Sequence, residues 1–373
     1  MSAEQIDCLI IYGSSSLDGQ MASLRYMTNI GFAEGYLVFP IEGEPTLFVF
    51  IGRRGRGKWA DQWITDVRSG HPDYARAICD RIKEIGVDKR TIGVVSSDEF
   101  YRGFGFPYSV YNEIVSGLPE ASFVDSSNMI EGARLIKGRA EIGCIEKAAE
   151  IGLQIMDLLK TNAKPGADHM MIRRRAFETL LELGGENWNP FLYSFGENMT
   201  HAGVKNMILS SPAIVKQNEI ILTEFGVEYR GYTAQYNQPY SVGEPDGEWQ
   251  RVFEACLKGY QHGFKALRPG MTAGELEDIV LSPIRESGYV FENPPFHGLG
   301  LSLEQPIGIF PAQPSHVPKK SFVFKENMIL ELEPAAMTSD LNIGMSLGDT
   351  LVVTDSGCRR LSKESEPEFI RTN

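Results

Sequence analysis

Two Pro-Gly turns constrain the fold of this chain more than any other feature. Lys164-Pro165-Gly166 and Arg268-Pro269-Gly270 each follow a long helical pattern. Proline lacks the amide hydrogen that a helix interior needs, and glycine reverses the chain freely, so each pair ends a helix. Before the first turn, Ile142, Ile145, Ala149, Leu153, Met156 and Leu159 fall on or near one stripe. That spacing predicts a long amphipathic helix over 133–160. Further helices are predicted over 168–183 and 248–266, with strands at 205–209 and 219–225. The order helix, turn, helix, strands thus occurs twice, which predicts a C-terminal region made of two related halves.

The N-terminal third reads differently. Short apolar strands are predicted at 7–12, 36–40 and 46–50, the last two flanking the turn Glu42-Gly43-Glu44-Pro45. A helix over 73–86 and a strand over 91–95 follow. Alternation of strands and helices predicts an α/β domain. The 373 residues therefore divide into 1–135 and 136–373, and 42% apolar content is enough to bury two cores. A net charge of −13 argues against a nucleic-acid partner, because phosphate binding needs a basic surface. No apolar run reaches the roughly 20 residues of a membrane span. The start, Met-Ser-Ala-Glu-Gln, does not read as a signal peptide, and five scattered cysteines read as reduced thiols. The expectation is a cytoplasmic protein with no membrane partner. His71, His169, His262 and His316 read as surface residues.

Several motifs occur in a telling order. Arg134-x-x-Lys137-x-x-x-Glu141 opens the C-terminal region. Ile221-Leu222-Thr223-Glu224 leads to Gln235 eleven positions later. Then come Phe296-His297-Gly298-Leu299-Gly300, Leu330-Glu331-Leu332-Glu333-Pro334 and Gly348-Asp349-Thr350-Leu351. This series resembles the pita-bread group, which includes methionine and Xaa-Pro aminopeptidases, prolidase, creatinase and ectoine hydrolase. The resemblance implies an α/β N-terminal domain and an α+β C-terminal domain. The latter would be pseudo-twofold, with a curved antiparallel sheet flanked by helices. It also implies a homodimer whose cleft is completed by the partner's N-terminal domain.

By that resemblance Glu224, Gln235, His297, Glu333 and Gly348 occupy five metal-ligand positions. Two of them carry no charge, which lowers the formal ligand charge from about −4 to about −2 and leaves two adjacent divalent ions to repel. Asp349 does not repair the set, since neighbouring strand residues face opposite ways. The expectation is a hydrolase without a cofactor, splitting a C–N bond in a small nitrogen-rich or zwitterionic metabolite. Glu224 and Glu333 hold a cationic group in that reading. His297 moves the proton, with His201 as a second candidate. Gln235, Tyr232, Tyr236 and Glu304 are candidate substrate contacts, as are Arg53 and Arg54 for a substrate carboxylate. The alternatives are an Xaa-Pro-type dipeptidase or aminopeptidase with one metal held by Glu224, His297 and Glu333, or an inactive binding module.

Overall fold

The computed structural model describes residues 1–14, 21–30, 34–50, 63–95, 105–186, 214–291, 293–308, 320–362 and 366–372, with 188–195 described by backbone alone. Met1–Arg134 and Leu301–Glu304 form one compact unit, and Leu135–Gly300 with Gln305–Asn373 form the other.

The first unit runs β1 (Cys8–Ser14), α1 (Ala22–Thr28), β2 (Glu34–Pro40), β3 (Thr46–Val49), β4 (Asp66–Ser69), α2 (Tyr74–Glu84), β5 (Thr91–Val95), α3 (Tyr108–Gly117), β6 (Ser122–Asp125) and α4 (Ser127–Arg134). Among the described residues its sheet has six strands in the order β4-β3-β2-β1-β5-β6. Cys8, Ile10, Tyr12, Tyr36 and Val38 pack against Ile78 and Ile82 of α2. Asp73 caps α2 by accepting from Arg76 N.

The second unit runs α5 (Arg139–Asn162), α6 (His169–Glu182), β7 (Trp188–Phe195), β8 (Ile220–Tyr229), β9 (Tyr232–Val242), α7 (Gly247–Ala266) and α8 (Ala273–Glu286). It continues with β10 (Phe296–Leu299), β11 (Leu303–Ile307), β12 (Ile329–Leu332), β13 (Ala335–Met337), β14 (Gly344–Ser346), β15 (Gly348–Val353), β16 (Cys358–Arg360) and β17 (Ile370–Thr372). Among the described residues the main sheet has nine strands: β11-β10-β12-β15-β9-β8-β7, with β16 beside β15 and β17 beside β9. Helices α7 and α8 bury Val252, Cys256, Tyr260, Leu276 and Val280 against Leu330, Leu332 and Leu351 of the sheet. Each such side chain contributes roughly 1.5–3 kcal/mol by leaving water.

The two Pro-Gly turns are built alike. Gly166 and Gly270 have φ of +87° and +85°, the left-handed region that favours glycine. Gly166 N donates to Val215 O, and Gly270 N donates to Phe324 O. Two residues on, Asp168 and Thr272 cap α6 and α8. The same residues bridge to Ile214 and Val323. The duplication expected from the sequence is therefore physical.

Three expectations need correction or fall outside the description. The helix expected over 133–160 is two helices, α4 ending at Arg134 and α5 beginning at Arg139. Glu141 caps the start of α5, its carboxylate accepting from Gly138 N at 2.6 Å. His169 is buried at the start of α6, not a surface residue. The strand expected at 205–209 lies outside the described residues.

Candidate functional site

Cross-strand register assembles the site. Glu224 of β8 pairs with Asn237 of β9, and Asn237 pairs with Gly348 of β15. Glu333 directly follows β12, whose Leu332 pairs with Asp349. Two residues along each strand, His297 pairs with Glu331 and Glu331 with Thr350. Thr350 Oγ1 accepts from Gln235 N at 2.8 Å. Side chains alternate along a strand, so these two rows share one face. The intervening row, Phe296, Leu332, Asp349, Tyr236 and Phe225, belongs to the other face. Helix α5 packs on that other face, where a Cβ on Gly152 would lie 2.1 Å from the Tyr236 ring. Glycine is required there for the helix to approach.

Glu333 is the hub of the polar face. Its Oε1 lies 3.2 Å from His297 Nε2. Its Oε2 accepts from Gln235 Nε2 at 3.3 Å and from Asn237 Nδ2 at 3.1 Å. Asn237 Nδ2 also donates to Ser346 Oγ. His297 Nδ1 stands 3.2 Å from Gly298 O, which sets the tautomer with hydrogen on Nδ1 and turns Nε2 toward Glu333. Glu331 is wholly hidden, and its Oε2 accepts from Thr350 Oγ1 at 3.1 Å.

Among the described residues the patch is short of positive charge. Burial works against charging His297, yet the charge and hydrogen bond of Glu333 and the Gly298 carbonyl outweigh it and raise the imidazole pKa above its usual value. Glu224 keeps partial contact with solvent. Loss of hydration around its carboxyl, followed by repulsion from Glu333, pushes its pKa up to about 8. Burial lifts Glu331 well above the carboxylate range, and the charges of Glu333 and Asp349 add to it. Acids crowded in this way hold protons or attract a cation.

The structure brings together Glu224, Gln235, His297 and Glu333. It corrects three of the expected substrate contacts. Tyr236 lies on the opposite face, its hydroxyl donating to Ala149 O at 2.6 Å. Tyr232 has the same parity and donates to Glu141 Oε1 at 2.8 Å. A third, Glu304, sits in the N-terminal unit and accepts from Arg134 Nε and Nη2 at 3.2 and 3.0 Å. With a guanidinium already on it, it is not the open carboxylate expected. His201, Arg53 and Arg54 lie outside the described residues. Sequence reasoning missed Asn237 and Glu331, although each stands two positions from a chosen residue and so shares its face.

Comparison with known proteins gives the context. Residues 143–355 match the model of metallopeptidase family M24, and residues 1–136 match the creatinase/prolidase N-terminal domain. The chain belongs to metallopeptidase family M24. It has that family's architecture, an N-terminal creatinase-type domain followed by the pita-bread domain, and it is a hydrolase acting on C–N bonds. The Xaa-Pro dipeptidase of Pyrococcus furiosus is 24% identical over 289 residues, covering 76% of this chain and 77% of the relative. The X-Pro aminopeptidase of Thermotoga maritima superimposes with a TM-score of 0.81 at 21% identity, over 99% of this chain and 96% of that one. The prolidase of Pyrococcus horikoshii gives 0.78 at 21% identity, over 99% and 97%. Among the described residues no helix is long and apolar enough to cross a membrane.

The family name implies a metal, and the donor chemistry can be tested against it. A two-ion centre does not fit: Gln235 turns an amide donor toward Glu333, and Gly348 has no side chain. One divalent ion fits by donor type, since Glu224, His297 and Glu333 offer oxygen and nitrogen on one face. As placed, among the described residues, no three such groups stand in metal-holding geometry. Glu333 would have to exchange its present hydrogen bonds for the ion.

Proposed function

We propose that this protein hydrolyses the C–N bond of small Xaa-Pro-type dipeptides, using Glu224, His297 and Glu333 with at most one divalent cation. The contact of 3.2 Å between His297 and Glu333, with Glu224 on the same face, carries the reading. The cation, when bound, supplies Lewis-acid polarisation of the carbonyl and a water of lowered pKa. The chain supplies the rest. The carbonyl of Gly298 holds His297 with Nε2 turned into the site. Gln235 and Asn237 keep the Glu333 carboxylate oriented. A proline nitrogen leaves only once protonated, so a proton must be delivered to it. Arg53 or Arg54 of a second chain, in a homodimer, belongs to the same proposal as the clamp for the substrate carboxylate.

A second reading has its own support. Glu333 Oε2 already accepts from two amides and Oε1 faces His297 Nε2, a donor once the imidazole is protonated, which suits proton chemistry without a metal. Here water attacks the amidine or guanidino carbon and loses its proton to Glu224. His297 then protonates the departing nitrogen as the C–N bond breaks. Metal analysis and a substrate panel separate the two. Xaa-Pro dipeptides turned over with about one bound cation per chain, and activity lost on chelation, support the first. Turnover of guanidino acids or cyclic amidines that survives chelation supports the second. If no member of the panel is hydrolysed, both readings fall.

A further inference from the structure

The acid that the resemblance places at position 348 is glycine here, and a neighbouring carboxyl fills its space. A Cβ placed on Gly348 would lie 2.6 Å from Glu331 Oε1. It would also lie 2.9 Å from Glu333 Cβ. Glu331 therefore reaches from β12 across to β15, to the point where a side chain of residue 348 begins. It lies on the same face as Glu333 because the two are two positions apart. We propose that Glu331 is a relocated ligand of this site, a carboxylate that joins Glu224, His297 and Glu333 around a single divalent cation once Glu333 exchanges its present hydrogen bonds for the ion.

Two further observations point the same way. Glu331 is 0% exposed, and its Oε1 has no hydrogen-bond partner among the described residues. Asn237, which pairs with Gly348, is 1% exposed, and its Oδ1 also has none among them. Buried acceptor oxygens are ordinarily satisfied. Two unsatisfied ones lie at and beside the Gly348 position, on the face that carries Glu224, His297 and Glu333. Glu331 raises the donor set to three carboxylates and one imidazole, enough for one divalent ion and too little charge for two.

The inference rests on the one-cation reading of the function, and the test keeps the two apart. Mn²⁺ and Zn²⁺ are titrated into chelated wild-type protein, Glu331→Gln, and the double variant Glu331→Ala/Gly348→Glu, following heat of binding and thermal melt. About one site per chain in the wild type is expected. Glu331→Gln should weaken it about tenfold or more, and the double variant should restore it. Failure of the wild type to bind either ion overturns the one-cation reading itself. Wild-type binding with undiminished binding by Glu331→Gln overturns the role of Glu331 alone, as does a folded double variant that stays weak. If the double variant does not fold, Gly348→Ala replaces it. Its Cβ competes with the Glu331 carboxyl and should weaken binding, and unchanged binding overturns the inference.

Discussion

Glu304 and Glu331 are equally hidden, at 1% and 0% exposure, and their surroundings are opposite. Glu304 meets the guanidinium of Arg134, which also donates to Ser23 and Ser302. The chain itself supplies the countercharge. Glu331 has a threonine hydroxyl on one oxygen and other acids around it, with a single imidazole on the patch among the described residues. A buried acid that serves the fold is neutralised from within. Acids crowded together without a cation among the described residues instead keep protons or draw a cation.

Four measurements break or sharpen that contrast. Replacing His297 by Ala should lower kcat/KM on the best substrate about 10²–10⁴-fold while the melting temperature holds, and retained turnover removes it from the mechanism. At the other cluster, Arg134→Met strands a buried carboxylate. Chemical denaturation should show a loss of about 3–5 kcal/mol, largely recovered by Arg134→Met/Glu304→Leu. A loss below about 1 kcal/mol would mean the pair does not close on itself.

Glu224 gives a pH test in chelated protein. Its pKa rises from 4.5 to about 8 on folding, so between these values the folded chain holds a proton that the unfolded chain releases. Its contribution is complete below pH 4.5 and is lost as pH rises through about 8. Glu224→Gln should remove this slope and gain on the order of a few kcal/mol at alkaline pH. An unchanged slope would show that Glu224 is not crowded. The smallest effect is expected from Tyr236→Phe, which loses its bond to Ala149 O and about 1 kcal/mol of stability with kcat unchanged. A fall in kcat would place Tyr236 on the working face after all.

What the sequence made legible was local. The Pro-Gly turns, the helical stripe of α5 and the ordered motifs carry their meaning within short windows. So do Glu224, Gln235, His297 and Glu333, each on or directly after its own strand. Asn237 and Glu331 needed only the alternation rule applied two steps further. Tyr236 fails the same rule, because it is the immediate neighbour of Gln235. Other features were out of reach. Arg134 and Glu304 are 170 positions apart, and no pattern links them. The 2.6 Å approach of Glu331 to Gly348 depends on strand register, which pairing decides and composition does not.

That approach also constrains descent. A glutamate at 331 and any larger residue at 348 contend for one volume, so mutation cannot add the first before removing the second without a strained intermediate. An ancestor bearing an acid at 348 must have lost it first, or both together. The reverse path must give up Glu331 before Gly348 can grow. The two positions should therefore vary as a linked pair among near relatives, large at one where small at the other.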